Sequence, residues 1–154
     1  MERRVLVIGI GNPARGDDGI GPALAAELEA AGLPGLTVDA AYQLSVEDAY
    51  DVAQADVVVF ADADVSCAPP FRLTRVEPAP GDGFTSHSCT PGAVLALARE
   101  QFGARCEAWL LGVRGYEFEP FVESMSDGAR ANLAPAVDAI GAMIRSGCFE
   151  ERKP

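Results

Sequence analysis

The sequence has little positive charge: 12 lysine and arginine residues stand against 23 acidic residues, and the formal net charge is -11. This balance opposes the phosphate contacts that supply most nucleic-acid affinity, and it equally disfavours an anionic membrane surface. We therefore expect the partner to be a protein or a small molecule, with no role for nucleic acid or membranes.

The sequence also lacks paired cysteines and long apolar runs. Its four cysteines are scattered, with no C-x-x-C pair, which argues against a zinc knuckle or a dithiol redox motif. Reduced thiols in a cytoplasm are the simplest explanation, so we expect a cytoplasmic protein. The N-terminal apolar run is short, ends in a Gly-Asn-Pro turn and lacks a small-residue cleavage site, which predicts neither a signal peptide nor a membrane span.

The pattern of apolar residues predicts one domain over residues 1–154, built from alternating strands and helices. The predicted strands are Arg4–Ile10, Leu36–Ala40, Asp56–Phe60, Phe71–Glu77 and Cys106–Val113, and the third of them runs into residues 61–64, "ADAD". The predicted helices are Ile20–Ala31, Ser45–Gln54, Pro91–Phe102 and Ser126–Ile144, and Pro78–Gly83 is predicted to be a loop. Ser45 is expected to cap its helix, with Asp48 completing a capping box.

The connections between these elements predict the sheet. The first strand is a continuous apolar run, which is typical of a parallel strand covered on both faces. Only "VSCAPP" separates the third and fourth strands, too little for the crossover that parallel neighbours require, so the fourth strand is expected at an antiparallel edge. The fold class predicted is α/β: three α/β/α layers on a mostly parallel, five-stranded sheet, with a ligand crevice beyond the first and third strands.

The loop after the first strand, "VIGIGNPARGDDGIG", satisfies the dinucleotide pattern G-x-G-x-x-A. A nucleotide-binding α/β protein is therefore one alternative, with Asp39 in the place of a ribose-binding acid. However, Asp17 and Asp18 stand where a pyrophosphate would meet the helix N-terminus, and two carboxylates repel an anion.

Three other side chains can reach the same crevice by topology: Asp18, Asp62 at the end of the third strand, and His87, the one histidine of the chain. Two carboxylates and an imidazole suit a divalent transition metal and leave open positions, although zinc, iron, nickel and manganese all accept this set. Ordinary roles remain open for each residue: a helix cap for Asp17 or Asp18, a turn for Asp62 and a loop hydrogen bond for His87.

Cys89 lies two residues after His87 and raises the alternative of a cysteine nucleophile, but the sequence offers no second histidine as its base.

Three segments together resemble the [NiFe]-hydrogenase maturation endopeptidases: "GIGNPARGDDGIGPALAAEL", "VVVFADAD" and "SHSCTPGAVLALA". The resemblance runs from the first strand to the last helix. It implies that Asp18, Asp62 and His87 are the metal-binding and catalytic set, with Asn12 and Asp17 as helix caps or supporting groups. It further implies an endopeptidase that removes the C-terminal extension of a hydrogenase large-subunit precursor after nickel insertion, so that the precursor supplies the nickel and the isolated chain holds no tightly bound cofactor.

The chemistry implied has two forms, one with a metal-polarised carbonyl or water and one with a carboxylate as general base. A module that senses nickel without cleaving is a further alternative. At the end of the second strand, Tyr42, Gln43 and Asp39 are predicted to recognise the substrate, whereas Leu44 is expected in the core.

Overall fold

A computed structural model of the chain describes residues 3–79 and 89–154. The strands are β1 Val5–Ile10, β2 Leu36–Ala41, β3 Val57–Asp64, β4 Phe71–Arg75 and β5 Glu107–Arg114. The helices are α1 Ile20–Ala30, α2 Asp48–Gln54, α3 Pro91–Phe102 and α4 Asp127–Ser146, and a 3₁₀ turn spans Gly16–Gly19.

The five strands form a sheet in the order β2-β1-β3-β5-β4. β1 pairs in parallel with both β2 and β3, and β3 pairs in parallel with β5. β4 pairs antiparallel with β5 at the edge, as the short connection predicted. The predicted α/β fold class is therefore confirmed.

Both faces of the sheet are covered, because successive side chains of a strand point to opposite sides. On β1, Val5 and Val7 join the core beneath α1 and α4, whereas Leu6 and Ile8 join the core beneath α2 and α3. All four are at most 5% exposed. Complete burial of one such side chain contributes about 1.5–3 kcal/mol, so these two apolar layers hold the three-layer structure together.

Gly9 near the end of β1 and Gly21 in the first turn of α1 bring this helix directly onto the carboxyl end of the sheet. A Cβ atom at Gly21 would lie 2.6 Å from the carbonyl oxygen of Ala61, and a Cβ atom at Gly9 would overlap the carbonyl of Gly21. Such contacts are too close for any side chain. The helix start, and with it the preceding 3₁₀ turn, therefore sits above the ends of β1 and β3.

Among the helix starts, that of α2 differs most from its prediction. The helix begins at Asp48 rather than Ser45. Its N-cap residue, Glu47, makes no capping hydrogen bond through its side chain. The N–H of Asp48 donates to the carbonyl of Ser45 at 3.1 Å, so these residues form a tight turn before the helix. Half of the predicted capping box is present, because the Asp48 carboxylate accepts from the N–H of Ser45 at 2.8 Å.

The strand predictions differ from the observed strands by more than one residue at two ends. β3 continues through Asp64, because its acidic end still pairs with β5 in register. β4 stops at Arg75 rather than Glu77, and the loop predicted over Pro78–Gly83 lies partly outside the described residues.

Candidate active site

Asp18 and Asp62 are carried to the carboxyl edge of the sheet by two different elements. Asp18 lies in the 3₁₀ turn before α1, and its carboxylate accepts a hydrogen bond from the N–H of Asn12 at 2.8 Å. Asp62 lies on β3, one residue past the point where Ala61 pairs with Gly9 of β1. Its carboxylate accepts from the N–H of Ala63 at 2.8 Å. Each acid is half-buried and is held by one main-chain donor.

The electrostatics of Asp62 show that the two acids are neighbours. Burial, and after it the negative charges of Asp18 and Asp64, raise the pKa of Asp62 to about 6 against the hydrogen bond from Ala63, which lowers it. Across residues 3–79 and 89–154, neither Asp18 nor Asp62 forms an ion pair with a basic side chain. A divalent cation between them would relieve this repulsion, so the donor chemistry fits a metal ion.

The third predicted ligand, His87, lies outside the described residues, so its convergence with the two acids stays a prediction. Within the residues that are described, no three histidine, cysteine or acidic side chains come close enough to hold a metal. Cys89 is the first described residue after His87, and its N–H donates to the carbonyl of Leu44 at 3.1 Å.

Asp17 has a structural role that the sequence pattern did not reveal. It does not cap α1, because the N-cap of that helix is Gly19 and makes no side-chain capping bond. Instead the completely buried Asp17 carboxylate accepts from the N–H groups of Tyr116, Glu117 and Ser126 and from the Ser126 hydroxyl, at 2.7–3.0 Å. Burial favours a raised pKa, but these four hydrogen bonds outweigh it, and the pKa of Asp17 is lowered.

The partners of Asp17 explain why this acid is tolerated in the interior. Ser126 is the N-cap residue of α4, and its hydroxyl also accepts from the N–H of Ala129 at 3.2 Å. The Asp17 carboxylate thus lies at the N-terminus of α4, where the helix dipole favours a negative charge. No local sequence pattern could reveal this role, because the three partner residues lie about a hundred residues away along the chain. That Asp17 also supports the metal ligand Asp18 stays a prediction.

Asn12 supports Asp18 through its main chain, since its N–H is the donor to that carboxylate. Its side chain does not cap a helix but accepts from the N–H of Ala14 at 2.9 Å, which closes a local turn.

The glycine-rich loop does not offer a phosphate cradle. The N–H of Gly11 donates to the carbonyl of Ala41, and the N–H of Asn12 donates to Asp18. The N–H groups of Gly16 and Asp17 donate to carbonyls of the segment after β5. Phosphate binding requires such donors to be unoccupied. The loop is therefore folded around an internal carboxylate, which argues against the nucleotide alternative.

The predicted recognition residues lie at the end of β2. Tyr42 is 74% exposed, and Asp39 is exposed with its carboxylate accepting from the N–H of Ala40. Leu44 is buried at 2%, which confirms its predicted place in the core. Recognition of the substrate by Tyr42, Gln43 and Asp39 stays a prediction.

The alternative of a cysteine nucleophile gains no support. Burial, with the negative charge of Asp48, raises the pKa of the Cys89 thiol, whereas an activated cysteine needs a lowered pKa.

In the portions of the chain that the structure describes, none of the helices is long and apolar enough to cross a membrane.

Solved structures of hydrogenase maturation peptidases have the same fold over nearly the whole chain. The hydrogenase maturating endopeptidase HybD from Escherichia coli is 26% identical, with a TM-score of 0.73 over 97% of each chain. A hydrogenase 2 maturation peptidase from a Thaumarchaeota archaeon is 25% identical, with a TM-score of 0.64 over 90% of this chain and 95% of that one.

The [NiFe] hydrogenase maturation protease HycI from Thermococcus kodakarensis KOD1 is 23% identical, with a TM-score of 0.69 over 94% of each chain. A scan against protein-family models gives no match, and a search of curated proteins gives none either. The structural likeness supports the expectation that this chain is a peptidase. The chain is thus a structural relative of the [NiFe] hydrogenase maturation proteases, and the resemblance carried by its motifs is confirmed.

Proposed function

We propose that this protein is an endopeptidase that removes the C-terminal extension of a [NiFe]-hydrogenase large-subunit precursor after nickel insertion. The observation that carries the proposal is the pair of neighbouring carboxylates, Asp18 and Asp62, at the carboxyl edge of the sheet. It is supported by the common fold with peptidases that act in hydrogenase maturation.

In this proposal the nickel arrives as part of the substrate. Asp18, Asp62 and His87 provide three ligands, and the precursor's own donors complete the coordination, which makes nickel loading the condition for cleavage. When bound, the nickel polarises the scissile carbonyl or a water molecule. The N–H of Asn12 orients the Asp18 carboxylate by holding one of its oxygens, so that the other can face the substrate.

Asp62 is also suited to a second role, as the general base. With a pKa of about 6, its carboxylate can accept a proton near neutral pH. A bound cation would lower that pKa and keep Asp62 ionised as a ligand. The two forms of the chemistry thus differ in whether Asp62 carries a proton during turnover.

The proposed function is tested by intact-mass spectrometry of candidate large-subunit precursors after incubation with purified variants. We expect Asp18→Asn, Asp62→Asn and His87→Ala to lower the yield of processed product by at least about a hundredfold, because each removes a ligand. Asp138→Asn, an exposed change on α4, serves as the matched control and should process at the wild-type rate. Binding without cleavage by the wild-type protein would instead indicate the non-cleaving nickel sensor.

A further inference from the structure

Residues 117–123, named here the docking arm, leave the end of β5 and lie against the loop that carries Asp18. The N–H of Asp17 donates to the carbonyl of Glu117 at 2.7 Å, and the N–H of Gly16 donates to the carbonyl of Val122 at 2.7 Å. In return, the N–H of Val122 donates to the carbonyl of Ala14 at 3.0 Å. Together with the side chain of Asp17, these bonds fix both ends of the docking arm to the rim of the candidate active site.

Phe121 stands out from this fixed arm with its side chain 94% exposed. Its φ of 65° places it in the left-handed region, which costs a residue with a Cβ about 1–2 kcal/mol and is ordinarily occupied by glycine. The fold gains no burial from this phenylalanine that would offset its strained backbone. Strain and an exposed aromatic side chain at one position point to a function outside the folding of the chain.

The charges around Phe121 define what it would meet. Glu117, Glu119 and Glu123 are all exposed, and in the described part of the chain none of the three forms an ion pair. One cation also contacts the docking arm, because the guanidinium of Arg15 donates to the carbonyl of Phe118 at 3.4 Å. The docking arm therefore presents an aromatic tip with an excess of unpaired carboxylates around it. The complementary surface is an apolar cleft with arginine or lysine side chains around its rim.

We propose that the docking arm binds the precursor protein, with Phe121 inserted into such a basic-rimmed apolar cleft. This inference rests on the proposed function and adds a recognition surface after β5, separate from the predicted recognition residues at the end of β2. Because Asp17 joins the docking arm to the turn that carries Asp18, a precursor held by Phe121 lies next to the candidate active site.

The test measures the affinity of immobilised variants for the nickel-loaded precursor. Phe121→Ala should weaken binding by at least about tenfold, as expected for an aromatic anchor. Phe121→Gly should weaken it as much, while its thermal unfolding midpoint stays equal to or higher than that of the wild type because the backbone strain is relieved. The control Phe102→Ala removes a 48% exposed phenylalanine at the end of α3 and should bind within about twofold of the wild type.

Charge reversal on the docking arm provides an independent test within the same experiment. The double variant Glu119→Lys/Glu123→Lys should slow association and abolish most of its salt dependence, whereas Glu100→Lys on α3 should not. If the wild type binds and cleaves the precursor but the Phe121 variants retain its affinity, the docking-arm inference is overturned alone. If the wild type neither binds nor cleaves any nickel-loaded precursor, the proposed function is overturned together with it.

Discussion

Replacing Asp62 by asparagine should stabilise the folded protein at neutral pH even though it removes a predicted catalytic residue. The folded state holds the pKa of this carboxyl at about 6 instead of 3.8, mainly because of burial and then because of the charges of Asp18 and Asp64. The folded state therefore binds the Asp62 proton more tightly than the unfolded state does, and stability falls as the pH rises from about 4 to about 6.

The size of the effect follows from that difference. At about 1.4 kcal/mol per tenfold change, a rise from 3.8 to about 6 corresponds to about 3 kcal/mol once the group is fully ionised. Asp62 is half-buried and partly screened by water, so we expect a gain of about 1–3 kcal/mol for Asp62→Asn at pH 7.5. Asparagine can keep the hydrogen bond from Ala63, because its side-chain oxygen is still an acceptor.

Urea denaturation in metal-free buffer measures this gain in the free energy of unfolding. The signal is the fluorescence of Trp109, which is only 4% exposed in the fold and becomes exposed on unfolding. The gain should shrink to well under about 1 kcal/mol at pH 4, where Asp62 is protonated in the folded state. Asp64→Asn is the matched control, and its effect on the free energy of unfolding should have the opposite sign. Burial raises the pKa of Asp64, but the N–H groups of Ser66 and Cys67 and the charge of Arg72 outweigh it and lower the pKa.

Asp64→Asn should therefore destabilise the protein at pH 7.5, and the loss should fade as the pH falls below the ordinary value of 3.8. An equal effect of Asp62→Asn at pH 4 and pH 7.5, or a loss of stability at pH 7.5, would refute the electrostatic reasoning.

Four further outcomes are expected. Asp17→Asn should cost about 2–4 kcal/mol in urea denaturation at pH 7, because buried donors lose a carboxylate acceptor, and the loss should diminish as the pH falls below 3.8. Gly16→Ala should cost about 1–3 kcal/mol more than Gly32→Ala: both glycines have a positive φ, but only at Gly16 would the new Cβ meet a carbonyl oxygen, at 2.6 Å. Tyr42→Ala with Gln43→Ala should weaken pull-down of the precursor yet leave stability nearly unchanged, whereas His87→Ala should abolish processing of a precursor that still docks. Titration calorimetry should show only weak nickel binding by the free chain, since three ligands leave the coordination incomplete; tight stoichiometric binding would contradict this.

The parts of the fold that could be predicted from sequence are those with local causes. Apolar runs mark β1 and β3 because both of their faces are buried, and the short "VSCAPP" connection leaves β4 no route to a parallel position. Asp18 and Asp62 could be placed near one another because the ends of adjacent parallel strands meet at one edge of the sheet.

The parts that could not be predicted depend on contacts across the chain. Asp17 looked like a cap for the helix that follows it, but its partners are near residues 116–126, and no local pattern announces them. Phe121 likewise lies in a segment held by the hydrogen bond from Val122 to Ala14, two residues far apart in the chain. The start of α2 differs from its prediction because Ser45 carries a capping signal, yet its backbone forms a turn.

If the acids at the sheet edge process a nickel-bearing precursor, cleavage must depend on the nickel. Intact-mass spectrometry would follow a full-length [NiFe]-hydrogenase large-subunit precursor, nickel-loaded or nickel-free, during incubation with the wild-type protein. Only the nickel-loaded precursor should lose mass, by one C-terminal peptide. Equal cleavage of the nickel-free precursor, or no mass change in either sample, would contradict it.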